Sequence, residues 1–277
     1  TPGEISVQVT KAWDDNDDQD GVRPEDVTIK LLADGVETGN TLVLTATNGW
    51  TGSFTDLDEF KDGEKIVYTV EEQEVGHGYT TSITGDQETG YGVTNSRTPE
   101  TIEVAGKKTW DDADDQDGVR PEEITIRLLA NGNEIDKVTV TESEQWAWSF
   151  TGLPKYEDGA LISYTITEDA ITDYSADING YDVTNSYTPG QTSVQVTKVW
   201  ADKQNQDGVR PQEVTIKLWA DGEETDQTLV LTAENNWTGT FTALDEYKVG
   251  TKIDYTVTEQ EVGNGYTVTM TGDQLTG

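Results

Sequence analysis

The stretch Val7-Gln-Val-Thr-Lys-Ala-Trp13 places Val, Val, Lys and Trp at every second position. A period of two is typical of a β-strand with one buried face. The same alternation returns at 66–72 and at 91–95, and Thr, Val, Ile and Tyr dominate these runs. Nowhere does the chain show the 3.6-residue period of an amphipathic helix. The pattern therefore predicts an all-β fold.

A hexapeptide follows this stretch and occurs three times in the chain. Gln-Asp-Gly-Val-Arg-Pro lies at 19–24, 116–121 and 206–211, and a Lys-x-Trp precedes each copy. The copies are roughly 90–97 residues apart, a domain-sized spacing that is too long for a solenoid repeat. Thr-Pro pairs at 98–99 and 188–189 mark the junctions, where proline restrains the preceding residue to extended conformations. We therefore expect three domains joined by short, stiff linkers.

Each expected domain is a β-sandwich of about seven short strands, so that the chain is a tandem of sandwiches. Asn131-Gly132 and Asp221-Gly222 lie between strand-like runs and predict hairpin turns. The expected domain bounds are 1–98, 99–188 and 189–277.

The first and third units resemble each other more than either resembles the middle unit. Residues 1–90 align without a gap to 188–277, which indicates a long-short-long piece of an alternating array. The third unit has no counterpart of the segment Tyr91–Pro99. We therefore expect the third domain to lack its last strand.

The composition excludes several classes of function. The chain has 277 residues with 54 acidic and 18 basic side chains, no cysteine and one histidine, His77. A net charge of −36 repels phosphate, so we expect no nucleic-acid partner. No run of about 18 apolar residues is present, so we expect no membrane insertion. A zinc site or a Ser-His-Asp triad would depend on His77 alone, and we predict no metal site, no cofactor and no turnover enzyme.

An acidic loop could be a calcium site or an ordinary solvated turn. Asn16, Asp18, Asp20 and Gly21 imitate the start of an EF-hand calcium loop, but the twelfth position is Val27 instead of glutamate. We interpret the loop as a solvated turn.

The eight tryptophans suggest a second alternative, a glycan-binding surface. Six of them recur at two equivalent positions and are predicted to be core residues. Trp148 and Trp219 have no counterparts, so they are the candidates for exposure. The six recurring residues are Trp13, Trp50, Trp110, Trp146, Trp200 and Trp237.

The strand alternation also places polar side chains on apolar faces. In each of the first two units a lysine, a glutamate and an asparagine face inward, and the third unit keeps its lysine and glutamate. Parity selects Lys108 over Lys107, which falls on the opposite face. These inward residues are Lys11, Glu72 and Asn95; Lys108, Glu168 and Asn185; and Lys198 and Glu259.

Two interpretations of this pattern remain open at the level of the residues. An unpaired buried charge is very costly, so the first is a buried Lys-Glu ion pair with a hydrogen-bonded Asn beside it. The second is chemistry. Burial disfavours charge, so the proton can move to the carboxyl and leave a neutral, nucleophilic amine. That amine could attack the asparagine carboxamide, with the glutamic acid shuttling the proton and ammonia leaving.

The chain resembles the Cna B-type repeat of Gram-positive collagen adhesins at these residues. The matching motifs are Val-Thr-Lys-Ala-Trp at 9–13, Gln-Asp-Gly-Val-Arg-Pro at 19–24, Tyr-Thr-Val-Glu-Glu at 68–72 and Val-Thr-Asn-Ser at 93–96. The resemblance covers all three units nearly end to end. It implies an inverse immunoglobulin-like sandwich with a self-formed Lys-Asn isopeptide bond between the first and last strands.

Carried over by position, the resemblance implies bonds from Lys11 to Asn95, assisted by Glu72, and from Lys108 to Asn185, assisted by Glu168. Lys198, with Glu259 beside it, has no such partner within the chain. The implied protein is a stalk of a cell-wall-anchored surface adhesin, extracellular and monomeric. Its partners would be neighbouring repeats and, through a head domain outside this chain, a host matrix protein. The alternative is a module that itself binds a host protein or glycan.

Overall fold

The structure, a computed structural model, describes residues 3–274 and is built of β-strands, turns and two single-turn 3-10 helices, Ala46–Asn48 and Glu142–Glu144. The all-β prediction is confirmed, and the described part of the chain contains no helix long and apolar enough to cross a membrane. The strands of the first repeat are β1 (Glu4–Asp14), β2 (Asp26–Ala33), β3 (Val36–Thr45), β4 (Thr51–Asp58), β5 (Phe60–Lys61), β6 (Glu64–Lys65), β7 (Tyr68–Glu72), β8 (Thr80–Asp86) and β9 (Gly90–Ser96).

These strands form the two layers of a sandwich. One sheet has the order β4-β1-β9-β8 and the other β3-β2-β7, while β5 and β6 form a separate short hairpin. Strand β1 runs antiparallel to β4 and parallel to β9. Because alternate residues of each strand face inward, Val7, Ile29 and Val93 from both sheets are fully buried in one core.

The second repeat has the same sequence of elements. Within it β10 pairs in parallel with β18, β18 pairs antiparallel with β17, and β14 and β15 form the short hairpin. Its strands are β10 (Thr101–Asp111), β11 (Glu123–Ala130), β12 (Asn133–Thr141), β13 (Ala147–Pro154), β14 (Tyr156–Glu157), β15 (Ala160–Leu161), β16 (Tyr164–Glu168), β17 (Ser175–Asn179) and β18 (Asp182–Ser186).

The third repeat has fewer strands in the described part of the chain. One sheet is reduced to β19-β22, and the other keeps the order β21-β20-β25. Its strands are β19 (Gln191–Thr197), β20 (Glu213–Ala220), β21 (Glu223–Thr232), β22 (Thr238–Asp245), β23 (Tyr247–Lys248), β24 (Thr251–Lys252) and β25 (Tyr255–Glu259).

The reduced sheet has a simple cause. In the first repeat β8 pairs only with β9, and the end of β1 also pairs with β9. Up to residue 274 the third repeat has no counterpart of β9, so the segment equivalent to β8 is not a strand. For the same reason β19 ends at Thr197, whereas β1 continues to Asp14. Without a counterpart of β9, the segment equivalent to β8 has no strand to pair with, and the counterpart of β1 is shorter and pairs only with β22.

The two predicted hairpin turns are confirmed. Asn131-Gly132 joins β11 to β12, and Asp221-Gly222 joins β20 to β21. The first residue of each pair has a φ of 49° or 52° and the glycine a φ of 83° or 81°. Positive φ at both positions is typical of the tight hairpin turns whose twist matches the flanking strands.

The chain divides into two compact units that do not follow the repeat boundaries. The first contains the residues up to Ala105 together with 128–136 and 149–165, and the second contains 106–127, 137–148 and the residues from Ile166 onward. The middle repeat therefore contributes segments to both units. The expected bounds Thr1 and Gly277 lie outside the described residues.

Candidate functional site

Lys11, Glu72 and Asn95 of the first repeat are buried between the two sheets. Their exposed fractions are 4%, 8% and 0%. Lys11 lies on β1 and Asn95 on the parallel neighbour β9, in a register that pairs Lys11 with Val93 and Trp13 with Asn95. Glu72 is the last residue of β7, in the facing sheet. Strand alternation thus turns all three side chains towards the core.

The contacts of these three groups are unequal. Lys11 Nζ lies 3.9 Å from Glu72 Oε1 and donates a hydrogen bond to the Ala12 carbonyl at 2.7 Å. Glu72 Oε2 accepts a hydrogen bond from the Thr81 hydroxyl at 2.7 Å. The Asn95 carboxamide has no hydrogen-bond partner within residues 3–274. A buried polar group left in this state costs about 1–3 kcal/mol, so its presence requires an explanation.

Burial changes the ionisation of the two most enclosed lysines. It lowers the pKa of the Lys11 ammonium to about 8, against the attraction of Glu72 and Asp15. Burial also lowers the pKa of Lys108, although Glu168 opposes the shift. A lower pKa increases the fraction of neutral amine at neutral pH, and the neutral amine is the nucleophilic form.

The second repeat repeats the arrangement with one difference. Lys108 and Asn185 are 5% and 1% exposed, and the register pairs Lys108 with Val183 and Trp110 with Asn185. Lys108 Nζ donates directly to Glu168 Oε1 at 2.6 Å. The carboxamide of Asn185 is again without a hydrogen-bond partner in the described part of the chain. Lys107, on the opposite face, is exposed.

In the third repeat the lysine and the glutamate form a close ion pair. Lys198 Nζ lies 2.7 Å from Glu259 Oε2 and 2.9 Å from Oε1, and the lysine side chain is 13% exposed. The pair borders an open cleft of about 1240 Å³ that is lined by residues of β19 and β25, by the loop that follows β19 and by residues 264–274. In the first repeat, strand β9 lies at the corresponding edge of β1.

Each lysine lies over a tryptophan that belongs to a cluster of three rings. Lys11 Nζ is 3.9 Å from the ring centroid of Trp13, which packs edge-on against Trp50 and Tyr79. The six recurring tryptophans are half-buried and not fully enclosed, so they cap the core beside the lysines. The equivalent clusters are Trp110, Trp146 and Tyr174, and Trp200, Trp237 and Tyr266.

The arginine of the repeated hexapeptide has a role that the sequence analysis missed. Arg23 Nε donates to Asp15 Oδ2 at 2.9 Å, and the Tyr79 hydroxyl donates to the same oxygen at 2.6 Å. Burial alone would raise the pKa of Asp15, but the hydrogen bonds from Arg23 and Tyr79 outweigh it and bring that pKa to about 2. The fixed spacing of an aspartate eight residues before each motif arginine was the available signal.

The same contacts account for the acidic loop that imitates a calcium site. Asp15 is bound to Arg23, and Asp18 Oδ1 accepts the Arg23 backbone N–H at 2.8 Å. Asp20 points to Arg97, with which it forms an ion pair. Within residues 3–274 no three acidic or histidine side chains converge on a point that could hold a metal ion. His77 is exposed in the loop between β7 and β8.

The suggestion that Trp148 is exposed is wrong. Trp148 is only 5% exposed and lies against Gly106, where an added Cβ would come within 2.9 Å of the indole. In the first repeat the equivalent pair is Val9 opposite Gly52. The large and small residues have therefore exchanged strands, which keeps the core filled. Trp219 is half-buried, and its indole N–H donates to the Thr258 hydroxyl at 2.9 Å.

Comparisons with known proteins agree with this architecture. The profile of the family described as Cna protein B-type domain matches residues 7–96, 104–186 and 194–277. A collagen adhesin of Staphylococcus aureus is 47% identical over 275 residues, which cover 99% of this chain and 23% of that protein. The chain thus spans about a quarter of the length of this curated relative.

A solved structure is also similar. The crystal structure of two B repeat units of the collagen binding protein of Staphylococcus aureus is 47% identical, with a TM-score of 0.63, over 99% of this chain and 74% of that chain. The family profile covers most of the sequence, and both relatives exceed the identity at which a shared fold is expected. The chain belongs to the family of Cna protein B-type domains, of which it carries three tandem copies.

Proposed function

We propose that the first two repeats each form an intramolecular amide bond between lysine and asparagine, Lys11 to Asn95 and Lys108 to Asn185. The observation that carries this proposal is the pairing of a buried lysine with a buried carboxamide that lacks a hydrogen-bond partner within residues 3–274, on adjacent parallel strands. A permanently buried ion pair would explain the lysine and the glutamate. It would leave the asparagine unexplained.

The reaction balances without any external reagent. The neutral Lys11 amine attacks the Asn95 side-chain carbonyl carbon, and the new C–N bond forms as the original C–NH₂ bond breaks. The proton lost by the amine passes through the Glu72 carboxyl to the departing nitrogen, which leaves as ammonia. Glu168 has the same role in the second repeat. Each domain reacts once with itself, so this is not turnover catalysis.

In the third repeat we propose that the lysine stays an ion-paired amine and forms no amide bond. Lys198 and Glu259 form an ion pair, and the sequence alignment supplies no counterpart of Asn95. Glu259 would assist bond formation only if a strand with an asparagine lay beside β19. In this chain we propose that Lys198 remains uncrosslinked.

At the level of the molecule we propose a stalk of a Gram-positive surface adhesin, located at the cell wall and monomeric. Three sandwiches with bounds 1–98, 99–188 and 189–277 would act as spacers stiffened by the bonds. Binding of a host matrix protein would belong to a region outside this chain. The alternative, a binding module, has lost its main support because Trp148 is buried.

The intact mass of the folded protein tests the proposed bonds. We expect a mass lower than that of the sequence by two ammonia molecules. Asn95→Ala and Asn185→Ala should each abolish one loss, while Lys107→Arg, on the exposed face, should leave both losses unchanged. A folded protein with an unshifted mass would contradict the proposal.

A further inference from the structure

The first three residues of the repeated hexapeptide contact the following repeat. In the first compact unit, the Gly159 N–H donates to the Gln19 carbonyl at 3.1 Å, and a Cβ on Gly159 would lie 3.0 Å from the Gly21 Cα. In the second compact unit, the Gly250 N–H donates to the Gln116 carbonyl at 3.0 Å, and a Cβ on Gly250 would lie 3.1 Å from Gly118. Both turn glycines belong to the short hairpin of the following repeat.

The aspartate of the motif binds the linker between the repeats. Asp20 is 6% exposed, pairs with Arg97 and accepts the Glu100 backbone N–H at 2.9 Å. Asp117 is 9% exposed and accepts hydrogen bonds from the Tyr187 hydroxyl at 2.8 Å and the Gly190 N–H at 2.7 Å. The two linkers have equal length from the last strand to the bound N–H and share Thr-Pro.

What recurs in both contacts is backbone chemistry. One side-chain donor is arginine and the other tyrosine, and the linker residue that gives its N–H is glutamate in one case and glycine in the other. The constant parts are the glycine pair, the glycine N–H bound to the glutamine carbonyl, and the linker N–H bound to the aspartate carboxylate. Two glycines are required because backbones this close leave no room for a Cβ, and all four glycines have φ between 66° and 76°.

The first three residues of the third copy, Gln206–Gly208, have no contact with a following repeat among the described residues. Gly208 has a φ of 67°, yet a Cβ added there would meet nothing within 4 Å, and Asp207 is exposed. Arg210 still donates two side-chain hydrogen bonds to Asp202, so the loop is held as in the other two repeats. At the other end, a Cβ on Gly63 in the first hairpin would likewise meet nothing within 4 Å.

We propose that Gln-Asp-Gly is a docking socket for the next Cna B-type repeat, and that Gln206–Gly208 is an unfilled socket of this kind. Its occupant is a further repeat like 99–188, because the equivalent socket at Gln19–Gly21 receives that type. The hairpin glycine of the occupant enters against Gly208, and its linker N–H binds Asp207. This contact would join successive repeats of the stalk, and its purpose rests on the stalk proposal.

Amide hydrogen exchange tests the socket without depending on the amide bonds. The extended chain consists of residues 1–277 followed by a second copy of 91–188, which continues the alternating order. In this chain we expect the added copy of Gly159 to exchange at least about tenfold more slowly than Gly63, as Gly159 and Gly250 should. Gly208→Val should remove the protection of the added glycine only.

Matched variants separate docking from folding. Gly21→Val should expose Gly159 while the amides of β1 stay protected, and Asp20→Asn should act in the same direction more weakly. In the original chain Gly208→Val should change neither Gly159 nor Gly250. An added glycine that exchanges as fast as Gly63 would overturn the proposal. So would concentration-dependent protection of Gly63 in the original chain, since a second copy would then occupy the socket.

Discussion

The Thr81 hydroxyl donates a hydrogen bond to Glu72 Oε2 at 2.7 Å, and the second repeat has alanine at the equivalent position. Thr81 lies opposite Asn95 on β8, whereas Ala176 lies opposite Asn185 on β17. The lysine–glutamate separation is 3.9 Å in the first repeat and 2.6 Å in the second. We attribute the difference to this hydroxyl, which competes with the ammonium for the carboxylate.

Exchanging these two residues should exchange the two geometries. In an Asn95→Ala background, which prevents the bond, Thr81→Val should bring Lys11 Nζ into direct hydrogen-bond contact with Glu72. In an Asn185→Ala background, Ala176→Thr should separate Lys108 from Glu168. Crystal structures of the two asparagine variants, with and without the second substitution, would measure the lysine–glutamate distance in each repeat. An unchanged Lys11–Glu72 separation in Thr81→Val would show that the backbone, and not the hydroxyl, sets it.

The lowered pKa of Lys11 predicts a pH dependence for the uncrosslinked first repeat. Its pKa falls from 10.5 to about 8 on folding, so between these values the unfolded chain binds more protons. Stability should therefore rise as pH increases through about 8, and the slope should fade as the pH falls further below that value. Denaturation of Asn95→Ala at pH 8.0–9.5, below the range of tyrosine titration, measures this slope.

The matched control is Lys11→Met in the same background, which removes the titrating group and should remove the slope. The crosslinked protein should also lack it, because an amide nitrogen does not titrate in this range. Equal slopes in all three proteins would mean that Lys11 is charged in the folded state.

Arg23 should be essential for the stability of the first repeat, because its loss would leave the Asp15 carboxylate charged and buried without its ion-pair partner. Asp15 is 4% exposed and has a pKa of about 2 in the folded protein. Removing one partner of a buried ion pair typically costs about 3–5 kcal/mol. We expect Arg23→Met to lower the melting temperature of the first repeat strongly, and Arg23→Lys to do so less. Scanning calorimetry measures both.

The exposed pair Lys30–Glu37 provides the control. Its two side chains are 34% and 58% exposed, and such pairs contribute about 0–1 kcal/mol. Lys30→Met should therefore have little effect. If it destabilised the protein as much as Arg23→Met, burial of the aspartate would not be the cause.

The sequence predicted the fold well because its signals are local. Alternation fixes which side of a strand is buried, and it distinguished buried Lys108 from exposed Lys107. A different criterion failed at Trp148. Its lack of a counterpart in the other repeats suggested exposure, whereas alternation along β13 places it on the buried face together with Phe150. The exchange of volume between Gly106 and Trp148 involves two strands, so it could be recognised only once β10 and β13 were known to be neighbours.

The contacts around the lysines could not be predicted from the sequence either. Thr81 reaches Glu72 from another strand, and Asp15 meets Tyr79 across 64 residues of chain. Alignment of the repeats could have indicated Asp15 and Arg23, because both recur at fixed spacing. It could not have indicated Thr81, which Ala176 replaces in the second repeat.

Trp148 should be a large contributor to the stability of the second repeat. Truncating a buried aromatic side chain to alanine costs about 3–5 kcal/mol because the transferred area and the cavity both count. We expect Trp148→Ala to lower the second repeat's melting temperature strongly and Trp219→Ala, at a half-buried site, to lower that of the third repeat much less. Calorimetry of the two variants would settle the order, and the reverse order would mean that the pocket beside Gly106 collapses without cost.

Completing the third repeat should create a third bond. The cleft beside β19 has the place that β9 occupies beside β1, and Lys198 and Glu259 already lie at its edge. Appending Tyr91–Thr98 after Gly277 puts an asparagine in the position that the alignment assigns to the partner of Lys198. We expect the mass to fall by a third ammonia. By the loop-closure relation for cross-links, the new bond should stabilise the repeat by about 4–5 kcal/mol.

The control is the same extension with alanine in place of that asparagine. It should restore the strand without the loss of ammonia, so it distinguishes the effect of strand pairing from that of the amide bond. If the chain without the extension already lacks three ammonia molecules, Lys198 has another acyl partner and the assignment by position is wrong.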